Sequence, residues 1–497
     1  SFEGTFNNCK SFNKPLSHLK LVDPNSSATL KMNYFLSGCD IFNHDCSAWD
    51  TSRVSQFSSV FRYDTAFNNG GASWTDADFR NCTTFEALFD RSGFNSDVSR
   101  WRFKTDPSSV SMFRMFSQCT FNKPIATTEV DGIKYWDTSG VSSMGYMFEA
   151  NESFNQPIDN WDVSGVRSFE RMFQSSASED LGTGFNQDLS SWDTTSAVNF
   201  KYMLSGARSF DGDISGWRFT EDEDIQSTHM LGNTPSLFEG SKDLSGWNTK
   251  KFNSLAHFFY NGSRERRRYW GANDPSKLTY EYNSNLYFPN WSPNVGGWDV
   301  GNSGSFSNTF FLCGTFNNDL SGWNVSKGTS FNRFVKSCFL FDRNLSSWDM
   351  SSAVDMHEMF TGCVAFNNGG SDGIKDWDIS SCTDIAEIFS SCIVFNQPLT
   401  NWDTSSVTLM HTTFSNAKAF NQDLITDGNK WNTSNVTSMK NMFTSASVFD
   451  GSLSGWDVSK VTNMSSMFQS ASAFTGQGIN SWNVGACTNM YRMFTNS

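Results

Sequence analysis

Several things are scarce in this chain, and each scarcity excludes something. Proline accounts for only 10 of 497 residues, and there are six histidines. No run of about 18 apolar residues occurs, so no segment reads as a membrane-spanning helix. Basic residues are outnumbered, and the formal net charge of −14 argues against nucleic acid or an anionic membrane as a main partner. No HExxH, GxSxG or phosphate-loop pattern is present. His18, His44, His229, His257, His357 and His411 recur at no fixed position beside a carboxylate and a nucleophile, and solvent-facing slots account for them. The sequence therefore offers no catalytic residue, no metal site and no cofactor, and an enzyme is not expected. What is abundant is aromatic: 48 Phe and 18 Trp. That much ring surface can offset the cost of ordering a backbone, which excludes a disordered tail.

The tryptophans are periodic. A spacing of 25 residues recurs, as from Trp136 to Trp161 and from Trp298 through Trp323 to Trp348. Aligned on them, one unit emerges, numbered here in slots from its first Phe as slot 0. Phe-Asn fills slots 0 and 1, Leu or Ile slot 4, and Trp-Asp slots 7 and 8. Val, Thr or Ile follows at slot 9, Ser at 10, Val at 12, Met at 15, Met-Phe at 18 and 19, and Ala or Cys at 22. Phe154, Ile158, Trp161, Val166, Phe169, Met172 and Phe173 illustrate it. Slots 12, 15, 18, 19 and 22 have the three-and-four spacing of one helix face, with Ser at slot 10 placed as its N-cap. Slots 7 and 9 alternate around Asp as a short half-buried strand does. The expectation is an α/β repeat solenoid, leucine-rich-repeat-like, of about 17 stacked units of one short strand and one short helix. It would run as a single continuous solenoid over residues 1–497, with an irregular insertion at about 262–290. Neither end carries a capping sequence, so the chain is expected to be part of a longer one or to stack on other subunits.

Segments such as Phe395-Asn-Gln-Pro-Leu-Thr-Asn-Trp-Asp-Thr-Ser-Ser-Val407 resemble the BspA-like leucine-rich repeat surface proteins. The resemblance covers nearly the whole chain, departing at Leu19, Arg102, Arg218 and Trp291. It implies a cell-surface or secreted location and a role in adhesion or surface architecture, without catalytic residues. The leading expectation is an extracellular structural surface protein that self-assembles into a filament or layer. The alternative is an adhesin-type module recognising a host protein or glycan. Expected partners are copies of itself or other surface proteins, with glycans a further option.

Particular residues carry further expectations. Asn recurs at slot 1, with Asp at Asp211, Asp342 and Asp450, and suits a coil-to-coil ladder that satisfies turn backbone. Calcium would need six to eight converging oxygens, more than one such residue per coil supplies. The cysteines interchange with Ala and Val, which marks them as small buried hydrophobes with free thiols. Asn25, Asn81, Asn151, Asn261, Asn290, Asn324, Asn344, Asn432, Asn435 and Asn463 begin glycosylation sequons, with Asn261 foremost because its segment departs from the repeat. The insertion is basic and aromatic. Arg264, Arg266, Arg267, Arg268, Tyr269, Trp270, Tyr280, Tyr282 and Tyr287 are its interface candidates, for Arg with Tyr and Trp is the composition of binding anchors.

Overall fold

The computed structural model describes residues 1–19, 21, 27–107, 109–175, 183–239, 243–261, 292–426 and 431–497. They form two compact units, the first ending at residue 239 and the second made of 243–261 with 292–497. Each unit is a stack of coils, one repeat to a coil.

Regular elements are short. The first unit contains β1 (Leu30–Lys31), β2 (Val54–Gln56), β3 (Asp78–Phe79), β4 (Arg102–Phe103), β5 (Val110–Ser111), β6 (Thr128–Val130), β7 (Ile133–Tyr135), β8 (Val141–Ser143) and α1 (Ser236–Glu239). β1 with β2, β3 with β4, and β5 with β8 pair in parallel between coils. β6 and β7 form an antiparallel hairpin turned by Asp131-Gly132, both at positive φ (53° and 75°), the pairing a tight hairpin favours. In the second unit the column is reduced to single parallel bridges at slot 14: Ser305, Ser330, Asp355, Asp384, Leu409, Ser438, Asn463 and Asn489.

The expected helix in each coil is not there; α1 is the single α-helix among the described residues. In its place stand consecutive turns that share their hydrogen bonds between two directions. Odd slots donate to the next coil: Met144 N–H to Ser168 O, Tyr146 to Glu170, Phe148 to Met172 and Ala150 to Gln174, at 2.6–3.0 Å. Even slots donate three residues back in their own coil: Met147 to Met144, Glu149 to Tyr146, and Asn151 to Phe148. The arrangement sets slots 17 and 21 at positive φ, as in Tyr146 (59°) and Ala150 (51°), or Glu387 (59°) and Ser391 (60°). A left-handed non-glycine residue costs roughly 1–2 kcal/mol, and here its own N–H gains an intercoil hydrogen bond. A helix and this turn stack bury the same slots, so apolar spacing alone does not separate them. The N-cap expectation fails with the helix. Asp at slot 8 instead accepts the N–H of slot 10, as Asp162 does from Ser164 at 3.0 Å and Asp403 from Ser405 at 3.0 Å.

Side chains lock coil to coil along three columns. Slot-1 Asn or Asp side chains accept the slot-1 N–H of the following coil. In the first unit the chain of contacts runs Asn43, Asn68, Asn95, Asn122, Asn155, Asn186, Asp211; in the second it runs Asn317, Asp342, Asn367, Asn396, Asn421, Asp450. Tryptophan indole N–H groups donate to the slot-4 carbonyl one coil back, as Trp402 does to Ile374 O at 2.8 Å. Phenylalanines at slot 19 stack face to face on the same slot of the next coil, Phe148 on Phe173 at 5.8 Å and Phe389 on Phe414 at 6.0 Å. Each such buried ring contributes roughly 1.5–3 kcal/mol of transfer free energy.

All eleven cysteines are free, and nine are buried. Cys338, Cys363 and Cys392 form a slot-22 column whose thiols donate to Phe310 O, Val335 O and Phe360 O. Burial pushes the Cys82 and Cys119 thiols up to about 12, which keeps them un-ionised and unreactive. In the first unit the same slot holds Asp64, whose carboxyl is lifted to about 8 by burial although it accepts the Cys39 N–H at 2.7 Å.

Candidate functional site

The core slots are much the same in both units, so what distinguishes the units lies at slots outside the core columns. Three such slots, 14, 16 and 17, share the face that carries the bridges.

In the first unit, slot 17 of successive coils reads Arg114, Tyr146, Arg171, Tyr202, His229. The side chains interleave: Arg114 lies 5.1 Å and Arg171 5.5 Å from the Tyr146 ring centre, and Arg171 lies 4.3 Å from that of Tyr202. Tyr202 stacks on His229 at 4.3 Å. Arg114 also pairs with Glu149 at 3.1 Å, and the Tyr146 hydroxyl donates to Glu170 at 2.9 Å. The row is a half-buried cation–π stack. Nearby, an open recess of about 750 Å³ lies against the hairpin. Its Arg102 and Lys104 are already paired with Asp78 and Asp106.

In the second unit the same slot reads Asn308, Arg333, Glu358, Glu387, Thr412. Glu358 is buried and paired with Arg333 at 2.8 Å and with the Lys336 ammonium. Burial, reinforced by Arg333, lowers Lys336 to about 8. The same two causes lower His257 to about 4 and so keep it neutral. His357 Nε2 lies 3.2 Å from Glu358 Oε1, and its Nδ1 lies 3.5 Å from Asp384 Oδ1. The histidines read from sequence as scattered are thus partly gathered, with the His357 and His411 rings 6.3 Å apart. Their shared slot 16, two coils apart, was visible in the repeat alignment once columns rather than coils are read.

A second surface lies at the slot preceding each Phe. In the second unit it reads Thr315 and then Leu340, Ala365, Val394, Ala419, Val448, Ala473, so that from Leu340 on a stripe of alternating large and small apolar residues runs along the coils. Leu340, Val394 and Val448 are 49%, 44% and 44% exposed. The underlying rings set the pitch, since Phe341, Phe366, Phe395, Phe420 and Phe449 follow one another at 5.9–6.0 Å. In the first unit the same slot reads Ile41, Ala66, Gly93, Thr120, Ser153, Gly184, Ser209, and no apolar stripe forms.

The insertion candidates Arg264, Arg266, Arg267, Arg268, Tyr269, Trp270, Tyr280, Tyr282 and Tyr287 lie outside the described residues, as do Asn25 and Asn290. Asn81, Asn324, Asn344 and Asn435 are exposed, and Asn432 and Asn463 half-buried. Two sequon expectations meet a correction. Asn151 occupies slot 22 in the core at 1% exposure, where its amide donates to Phe121 O at 3.1 Å. Asn261, singled out because its segment departs from the repeat, is 8% exposed, and its N–H continues the intercoil ladder to Phe311 O. Neither side chain offers its amide to a glycan in the folded chain.

A sequence model of the family described as "Mycoplasma protein of unknown function, DUF285" matches residues 1–128, 110–240, 276–372, 368–426 and 424–497. No curated protein matches the chain significantly. A solved structure described as "Crystal structure of TLR13-ssRNA13 complex" aligns over 88% of this chain and 69% of that one at 10% identity. The TM-score is 0.16, too low to inform either fold or function. No helix among the described residues is long and apolar enough to cross a membrane.

Proposed function

Because the chain belongs to the family described as Mycoplasma protein of unknown function, DUF285, to which that description assigns no activity, we propose a function from its surfaces: a non-catalytic structural protein of the cell surface that associates with copies of itself. The carrying observation is the stripe Leu340, Ala365, Val394, Ala419, Val448, Ala473. Large residues recur at every second coil, with alanines between them. A second stripe shifted by one coil would seat its large residues against those alanines, so the pattern is complementary to itself. Contiguous exposed apolar surface of this kind marks an association site. The cell-surface location rests on the resemblance to BspA-like surface proteins, and buried un-ionised thiols suit an oxidising exterior as well as a reducing interior.

Electron cryo-microscopy of native material tests the reading. Ordered filaments, layers or dimers with the stripe at the contact support it, whereas isolated single chains count against it. A second reading, a binding module for a foreign protein or glycan, is favoured by the half-exposed Arg–Tyr row of the first unit. Arg and Tyr are frequent anchors at protein interfaces. Loss of partner binding on Tyr202→Ala, with unchanged self-association, would favour that second reading.

A further inference from the structure

We propose that the bridge face of the second unit binds one divalent transition-metal ion, with zinc as the reference case, between His357, Asp384, Glu387 and His411. Three successive coils build the place. His357, Ala386 and His411 fill slot 16 in turn, and the fully buried Ala386 leaves no large side chain between the two imidazoles. The rings stand 6.3 Å apart at 65°. The middle coil supplies Asp384 at slot 14 and Glu387 at slot 17.

The first observation pointing to an ion is at His357. Its Nδ1 is buried and makes no hydrogen bond, yet lies 3.5 Å from Asp384 Oδ1. Nitrogen and oxygen ligands about 2.0–2.1 Å from zinc stand roughly 3.4 Å apart at the tetrahedral angle. Glu358 explains why Nδ1 is the free nitrogen. Arg333 and Lys336 hold that carboxylate in place 3.2 Å from Nε2, where it can accept an Nε2–H and leave Nδ1 for an ion. This is the carboxylate–histidine–metal order found around bound ions. A second observation is a further carboxylate close by: one ligand atom each of His357 and Glu387 lie within 4.8 Å of each other. Glu358 is neutralised by its two cations and acts as an orienting group, which leaves Glu387 as the second carboxylate ligand. His411 Nδ1 faces the Thr412 hydroxyl at 3.4 Å, leaving its Nε2 for the ion. Two imidazoles and two carboxylates match a doubly charged ion of borderline softness.

The test uses the whole chain, stripped with a chelator and dialysed against zinc, with bound metal counted by mass spectrometry and affinity read by calorimetry. The expected result is one zinc per chain with a dissociation constant in the micromolar range or tighter. His357→Ala with His411→Ala should weaken binding at least 100-fold, while His18→Ala with His44→Ala leaves it unchanged. Cobalt substituted for zinc should give the ligand-field absorption of a four-coordinate nitrogen–oxygen site. Ala386→Leu keeps every ligand and should still weaken binding by crowding the gap between the rings. Zero stoichiometry, or binding that survives His357→Ala/His411→Ala, would overturn the assignment and leave the cluster an ion-pair network. Circular dichroism of each variant separates a lost site from a lost fold.

Discussion

The two units run the same backbone program with different surfaces. At slot 17 the first unit stacks Arg114, Tyr146, Arg171 and Tyr202, whereas the second presents Arg333, Glu358 and Glu387 around two histidines. At the slot before each Phe, the first unit is small or polar and the second alternates large and small apolar residues. Yet the Asn ladder, the indole hydrogen bonds and the Phe stacks recur in both. The coil-to-coil bonding common to both units rests on buried and turn positions, while slot 17 adds contacts that differ between them.

Changes at shared positions should hurt both units alike and most severely. Trp402 is fully buried, stacks against Trp377 and Trp431 at 6.3 and 6.4 Å, and donates its indole N–H to Ile374 O. Trp402→Ala is expected to cost about 3–5 kcal/mol by chemical denaturation, and Trp161→Ala in the first unit a similar amount. A large asymmetry between the two would break the idea of one shared program.

Asp64 should make the first unit pH-sensitive. Its carboxyl is raised by burial from the ordinary 3.8 to about 8 when folded. Between those values the folded chain holds a proton that the unfolded chain has released, so the stability it confers is complete at low pH and is lost as pH rises toward 8. Asp64→Asn should remove a fall on the order of a few kcal/mol between pH 5 and 8.5, measured as the difference from wild type at each pH. An unchanged pH profile would contradict the burial argument. At the ladder, Asn396→Ala should cost about 1 kcal/mol by freeing the Asn421 N–H, while Asn396→Asp should be nearly neutral, since Asp342 and Asp450 already serve there. Smallest of all, Tyr146→Leu removes two guanidinium contacts and should cost about 0.5–1 kcal/mol in thermal unfolding.

The repeat, its core slots, the Asn ladder and the buried thiols were legible in sequence because a column of identical residues is the direct imprint of stacking. The local backbone was not. Met144, Met147, Phe148 and Asn151 have helix spacing, but in the structure alternate N–H groups leave the coil, a choice made by the neighbouring coil rather than by the segment. The sequons at Asn151 and Asn261 misled for a related reason: a short motif carries no information about depth. His357 and His411 are 54 residues apart in sequence and converge only because Ala386 stands between them in the column.

Self-association through the second unit is the central claim, and sedimentation velocity across micromolar to near-millimolar concentration tests it most directly. Wild-type chain should sediment as a dimer or larger species at the upper end, and Val394→Lys with Val448→Lys should restore the monomer without lowering thermal stability. A wild-type chain that remains monomeric throughout, or an assembly indifferent to those two lysines, would contradict it.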